Sequence, residues 1–297
     1  MVKQKKKSGN PFLVILLIVV VAAAIAFGLS RHWRTGDEAV ADLRSLFEQG
    51  RANLNGGGTP YERAVKADSD ETAIPLFEKA AAQGDARAML ALGDIYNKSK
   101  TETDGDKAVA WYKKASDAGN VEAKRKLAAA IGMGRGSREP DIAEADKLMG
   151  EAAAAGDGKA QLIYGRNLAG AGQAKVAEPW LLKAATQNVP GTSAALGNLY
   201  YDWRSDVKDY EKARQWYAKA AVEGDTQSQL NYSYMYYSGR GVEKDDAEAW
   251  KWLAIADGDQ DKVKIAREFL KDKISADAVA EGDKRAAAWR ASHPAAR

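Results

Sequence analysis

Side chains able to do covalent or metal chemistry are few and scattered in this 297-residue chain. It has no cysteine and only two histidines, His32 and His293, at opposite ends of the sequence. A serine nucleophile therefore lacks an imidazole base in the body of the chain, and a zinc site lacks thiolate and imidazole ligands. Carboxylates do occur in close pairs, Asp104 with Asp106 and Asp245 with Asp246. Both pairs stand where helices are expected to begin, a place where acidic charge answers the helix dipole. Gly132-Met133-Gly134-Arg135-Gly136 has the composition of a phosphate-cradling loop, but it follows no strand pattern and lacks the Lys-Ser/Thr ending. Gly56-Gly57-Gly58 reads as a hinge. The expectation is a chain that is not an enzyme and has no catalytic, cofactor-binding or metal-binding residue.

The elements that would position any site come from an internal repeat. Ala73, Ala108, Ala145, Ala177, Ala213 and Ala247 each precede by three residues a bulky apolar one: Leu76, Trp111, Leu148, Trp180, Trp216 and Trp250. Four residues on come Ala80, Ala115, Ala152, Ala184, Ala220 and Ala254, and four further Gly84, Gly119, Gly156, Asn188, Gly224 and Gly258. The spacing predicts a helix B with a close-packed small-residue face, ended by a left-handed cap that glycine, or asparagine at 188, takes cheaply. Between each glycine and the next alanine block stand Gly93, Ala128, Gly165, Gly197 and Ser233, each preceded by a bulky residue and followed three positions on by Tyr96, Ile131, Leu168, Tyr200 and Tyr236. Apolar residues at spacings of three and four define a second helix, A. Tryptophan and tyrosine are expected to fill the wedge between repeats, and Ala287, Ala288 and Trp289 to close the C-terminal face.

Leu92-Gly93-Asp94-Ile95-Tyr96, Leu196-Gly197-Asn198-Leu199-Tyr200, Ser238-Gly239-Arg240-Gly241-Val242 and Trp216-Tyr217-Ala218-Lys219-Ala220-Ala221 leading to Gly224-Asp225 together resemble the Sel-1-like repeat family, relatives of tetratricopeptide repeats. The resemblance implies an all-α, right-handed superhelical solenoid of antiparallel helix pairs that binds proteins, with adaptor or regulator duties. It also leaves room for an immunity-type inhibitor that sequesters a secreted toxin, since similar repeat proteins serve that way. An envelope enzyme is the remaining alternative, because some cysteine-rich relatives were described as penicillin-binding or β-lactamase-like; the absence of cysteine here counts against it.

Charge divides the chain. Residues 1–34 hold six basic side chains and no acid, and the remainder holds 38 basic against 41 acidic ones, so the alkaline pI of about 8.7 belongs to the tail. A nucleic-acid partner loses its main electrostatic argument. Phe12–Leu29 is an unbroken run of 18 apolar or small residues, about 27 Å as a helix at roughly 1.5 Å per residue. With four lysines before it and two arginines after it, the positive-inside rule predicts a single-pass inner-membrane anchor with a cytoplasmic N-terminus and periplasmic repeats. Cleavage as a signal peptide, giving a secreted form, is the competing reading. The expected organisation is a basic tail over 1–11, a transmembrane helix over 12–30, a linker and capping helix over 31–70, repeats over 71–260 and capping helices with a tail over 261–297.

A candidate partner-binding surface emerges from what the repeat does not require. The A-helix position after the small residue, expected to face solvent, carries Asp94, Ala129, Arg166, Asn198 and Tyr234 in turn, and three residues beyond stand Asn97, Gly132, Ala169, Tyr201 and Tyr237. The last two repeats thus add Tyr201, Tyr234 and Tyr237 to a stripe that is small or polar elsewhere, with Trp203 just after. Amphipathic aromatics are common interface anchors. The same stripe could instead pack on the C-terminal capping helices.

Overall fold

The computed structural model describes residues 58–258 and 260–293; the expected membrane span at 12–30, the basic tail and residues 31–57 of the expected linker and capping helix lie outside the described residues. Among those described, all regular structure is helical: α1 (Pro60–Val65), α2 (Asp70–Ala82), α3 (Ala86–Lys98), α4 (Glu102–Asp117), α5 (Val121–Gly132), α6 (Ile142–Ala154), α7 (Gly158–Gly170), α8 (Ala174–Thr186), α9 (Thr192–Tyr201), α10 (Tyr210–Val222), α11 (Thr226–Ser238), α12 (Asp246–Ile255), α13 (Gln260–Lys271) and α14 (Ala276–Ser292). No helix among the described residues is long and apolar enough to cross a membrane. The chain falls into two compact units that divide at Ala80, inside α2. In the first, Thr59 and Glu62 form a reciprocal capping box at the start of α1, with Pro60 fixing φ in the first turn. The Tyr61 and Phe77 rings meet at 5.7 Å.

The second unit is a run of A/B pairs: α3 with α4, α5 with α6, α7 with α8, α9 with α10 and α11 with α12, each B helix also packing on the next A helix where one follows. One short device both ends a B helix and starts the next A helix. Gly119, Gly156 and Gly224 have φ of 86°, 97° and 89°, and Asn188 is the only non-glycine residue with positive φ among the described residues, at 53°. A Cβ at any of the three glycines would meet nothing within 4 Å, so backbone conformation, not space, selects the residue. The next amide returns to the second fixed alanine, as in Asn120 N–H to Ala115 O at 2.9 Å and Asp225 N–H to Ala220 O at 3.0 Å. The same Asn120 and Asp225 side chains then cap α5 and α11 by accepting from Ala123 and Ser228 N–H. Gly258 departs from the expectation. Its φ is not positive, α12 stops at Ile255, and a Cβ at 258 would collide with Thr226. Arg267 takes over the capping, donating to the carbonyls of Leu253, Ala254 and Ala256 at 2.9, 3.3 and 3.0 Å, and Arg290 also donates to Ala254 O. Cationic side chains there satisfy both the open carbonyls and the dipole.

In the first four of these pairs the interior is filled one residue later than the sequence pattern suggests, whereas in α11/α12 the expected Trp250 is itself buried. Trp111, Leu148, Trp180 and Trp216 are only partly buried, while Tyr112, Met149, Leu181 and Tyr217 beside them are buried. A helix turns about 100° per residue, so this one-step shift carries the packed face from the bulky position to its neighbour. These side chains lie against the small A-helix residues: a Cβ at Gly93 would stand 2.5 Å from the Tyr112 ring, one at Gly197 2.5 Å from Tyr217, and one at Gly165 2.8 Å from Leu181. The tryptophans sit at the margins, where Lys114, Lys183 and Lys219 ammonium groups lie 4.1, 4.6 and 5.7 Å above Trp111, Trp180 and Trp216. Trp180 also meets Tyr164 edge-on at 5.6 Å on the cluster of Met149 and Ala152, so the expected wedge role holds there.

At the C-terminus α12 packs on α13 and α14. Ala287 and Ala288 are exposed rather than closing this face; Gly282 and Ala286 do so, with Gly282 against Trp250 and Trp289 edge-on to Trp252 at 5.9 Å. Arg285 ties α14 to the start of α12 through Asp245 at 2.8 Å and Glu248 at 3.5 Å, and to Glu281 at 3.1 Å on its own helix. Burial pushes Asp245 up, but the Arg285 guanidinium and the Glu248 amide outweigh it and leave the carboxyl below its usual range. Arg285 itself is raised, chiefly by its hydrogen bonds to Asp245 and Glu281. A folded-state carboxyl held low stabilises above the ordinary carboxylate pKa of about 4 and loses that contribution as pH falls through its own lower value. The melting temperature should therefore drop on acidification below about pH 4. Arg285→Gln should make that drop shallower while lowering stability at neutral pH; parallel acid profiles would show that the pair contributes nothing.

Candidate protein-binding surface

The predicted aromatic stripe divides into parts with different roles. Asp94 and Asn198, expected to be idle on the solvent side, each accept a hydrogen bond from the buried tyrosine of their pair, Tyr112 Oη to Asp94 and Tyr217 Oη to Asn198, both at 2.8 Å. Asp94 also holds Lys126 Nζ at 2.6 Å. These positions thus close the pair where the B helix supplies a tyrosine. Repeats with Met149 or Leu181 at the B-helix position have Ala129 or Arg166 instead.

Tyr201, at the end of α9, is partly buried against Tyr210 at 5.5 Å and Tyr217 at 5.9 Å. Burial raises its phenol pKa, with Arg240 pulling the other way. Tyr234 stands on α11 with 43% of its surface exposed, 6.3 Å from Tyr237. Tyr237 leans on the cap, edge-on to Phe269 of α13 at 6.1 Å and partly buried against Trp250, Leu253 and Leu270. Both readings of the stripe therefore apply, residue by residue: Tyr237 packs on the cap, while Tyr234 faces out. Trp203, in the loop before α10, is 75% exposed and makes none of these ring contacts.

The sequence pattern missed what joins them. Arg240, in the loop after α11, has its guanidinium 6.0, 5.9 and 5.7 Å from the rings of Tyr201, Tyr210 and Tyr234, and its Nη1 donates to Tyr201 Oη at 3.2 Å. Tyr210 and Phe269 join the surface from α10 and α13, and Phe269 and Ile265, one turn apart, are 51% and 66% exposed. The result is a band of tyrosines around one arginine, continued by apolar residues of the cap. The signal was available in Gly239-Arg240-Gly241, whose counterpart Gly134-Arg135-Gly136 occupies the same loop three helix pairs earlier in the stack. There Arg135 clamps onto the preceding repeat through Asn97 Oδ1 at 3.1 Å and the carbonyls of Asn97 and Ser99. Gly136 lies against Asp106, which accepts from Ser137 N–H at 3.0 Å, so that loop is folded onto the start of α4 in the preceding pair, with a carboxylate at its amide.

Groups with catalytic precedent are engaged elsewhere. His293 stacks on Trp289 at 4.4 Å, and among the described residues no cluster of three His, Cys, Asp or Glu is placed to hold a metal. A Ser-x-x-Lys spacing, the signature of penicillin-binding enzymes, occurs at Ser205 and Lys208. Ser205 Oγ accepts from Val207 N–H at 3.2 Å, and Lys208 Nζ lies 5.9 Å over the Tyr210 ring. The two residues are joined by the turn bond from Lys208 N–H to Ser205 O at 3.2 Å, not through the hydroxyl and the ammonium group.

The Sel1 repeat model matches residues 50–85, 86–120, 121–157, 194–225 and 226–256, more than half of the chain. The unmatched stretch 158–193 holds α7 and α8, which form the same pair in structure but carry Pro179 inside α8 and Asn188-Val189 in place of Gly-Asp. A search of curated proteins gives no match. Among solved structures, the chain is similar to a protective antigen of uropathogenic Escherichia coli strains displaying an SLR fold. Identity is 26%, the TM-score is 0.67, and the alignment covers 77% of this chain and 51% of the antigen. It is also similar to a Sel1 repeat protein from Oxalobacter formigenes, at 27% identity, TM-score 0.58, and coverage of 66% and 84%. This chain thus spans about half the length of the antigen.

Proposed function

The chain belongs to the Sel1 repeat family, and from that premise we propose that it is a non-catalytic scaffold of the cell envelope that captures a protein or peptide on the band formed by α9, α11 and α13. The observation that carries this reading is Tyr234, an amphipathic ring left exposed by the repeat and flanked by Arg240, Tyr237 and Phe269. Such rings contribute contact area at low entropic cost. The apolar run at 12–30 and its flanking lysines support an inner-membrane anchor with the repeats in the periplasm.

The scaffold reading is tested by cross-linked capture from membranes with the parent chain and Tyr234→Ala. A buried tyrosine anchor is worth about 2 kcal/mol, so the variant should lose roughly 30-fold in affinity with an unchanged melting temperature. Capture retained by a less stable variant would return Tyr234 to the packing of the cap. One-to-one association with a single secreted effector would favour the toxin-sequestering alternative over an adaptor. For the anchor, the protein should stay in the pellet on carbonate extraction and a C-terminal phosphatase fusion should be active; a released mature form would make the run a cleaved signal.

A further inference from the structure

Arg240 and Arg135 hold the same place in the loop between an A helix and its B helix, yet their guanidinium groups are used differently. Arg135 spends its fork on three oxygen acceptors of the preceding repeat. Arg240 makes one hydrogen bond, to a phenol oxygen, and otherwise lies among the rings of Tyr201, Tyr210 and Tyr234. Among the described residues it forms no ion pair with a carboxylate, whereas Arg87, Arg125, Arg204 and Arg285 are each paired with an acid. The guanidinium sits between the three rings, and among the described residues its remaining N–H donors have no protein acceptor. An exposed guanidinium with free N–H donors beside aromatic rings can offer two parallel hydrogen bonds to a carboxylate. Beside it, Tyr234, Tyr237 and Phe269 form a continuous ring-to-ring surface that can take an apolar side chain.

We propose that Arg240 receives a carboxylate of the bound segment while Tyr234, Tyr237 and Phe269 seat an adjoining apolar side chain, so that the partner is a protein segment with Asp or Glu next to a bulky apolar residue. This rests on the docking reading of the same band and adds the chemistry it selects. Charge complementarity chooses this occupant: Lys244, 5.4 Å above the Tyr237 ring, is already paired with Asp246 at 3.3 Å, so Arg240 is the cation of the band left to receive an acid. An uncharged apolar segment would leave the guanidinium desolvated and unpaired.

The test is a phage-displayed random-peptide library panned on detergent-solubilised full chain, with synthetic copies of the enriched peptides measured by fluorescence anisotropy. The parent chain should enrich peptides with an acid adjoining Phe, Trp, Leu or Ile, and replacing that acid by its amide should weaken binding roughly tenfold or more. Arg240→Gln should bind acid and amide peptides alike, and Arg240→Lys, which keeps the charge but not the fork, should fall between them. Both variants must melt with the parent; if Arg240→Gln does not, Arg240→Lys and the acid-to-amide exchange in the peptide decide the matter. Enriched peptides without acids, or acidic peptides that bind Arg240→Gln as well as the parent, overturn the carboxylate assignment. If such peptides still depend on Tyr234, the docking surface survives that result. Peptides indifferent to both Arg240 and Tyr234, or no enrichment at all, overturn the docking surface as well.

Discussion

Replacing Tyr217 by alanine should cost about 3 to 5 kcal/mol, the range for emptying a large aromatic site in a close-packed core. The ring is 1% exposed, fills the interior of the α9/α10 pair and closes it with a hydrogen bond to Asn198. Tyr217→Phe removes only that bond and should cost about 1 kcal/mol. The Gly197 partner gives a sharper check, because a Cβ there would lie 2.5 Å from the ring. Gly197→Ala should destabilise the parent by about 1 to 3 kcal/mol through overpacking. In the Tyr217→Ala background it should be neutral or stabilising, since alanine is the better helix former by about 1 kcal/mol. Urea denaturation of the four proteins measures this directly, and additive effects would mean that Gly197 is small for some reason other than the tyrosine.

Arg267→Ala is the second large effect expected, about 3 kcal/mol or more, because a charged donor to three carbonyls at the end of α12 is lost and those acceptors are left half-covered. It should also act at a distance. Arg267 fixes α13, and α13 presents Phe269 beside Tyr237, so partner binding should weaken in a residue that itself touches no partner. Hydrogen exchange should show faster amides in α13 while α9 and α10 keep their protection. Uniform acceleration across the unit would mean that the cap and the repeats melt together, and unchanged exchange in α13 would show that Val263 and Leu270 hold the helix alone.

Much of this architecture is written at positions that admit very few residue types. A left-handed B-helix end admits little besides glycine or asparagine, so Gly119, Gly156, Asn188 and Gly224 register the repeats even across 158–193, where the Sel1 repeat model finds no match. The small residues at 93, 165 and 197 likewise mark close helix approach before any coordinate is known. What the pattern misjudged was rotation about the helix axis. Trp111, Trp180 and Trp216 look like core residues because they are large and periodic, yet the face that packs is centred one residue on, at Tyr112, Leu181 and Tyr217. Hydrophobic periodicity gives the existence of a face but blurs its centre by about one residue, or 100°.

The sequence by itself determined the helix pairs, their junctions and the aromatic surplus of the last repeats, because each depends on local conformation or on spacing within one helix. Tertiary structure alone decided which of those aromatics are free. Tyr237 and Tyr234 are three residues apart on α11, but only the placement of α13 turns one toward Phe269 and leaves the other exposed. It also decided that Arg240 sits among rings from α9, α10 and α11 while Arg135 is consumed by carbonyls. Those outcomes depend on which groups neighbouring repeats place within a few ångströms of one another, and no spacing along the chain encodes that distance.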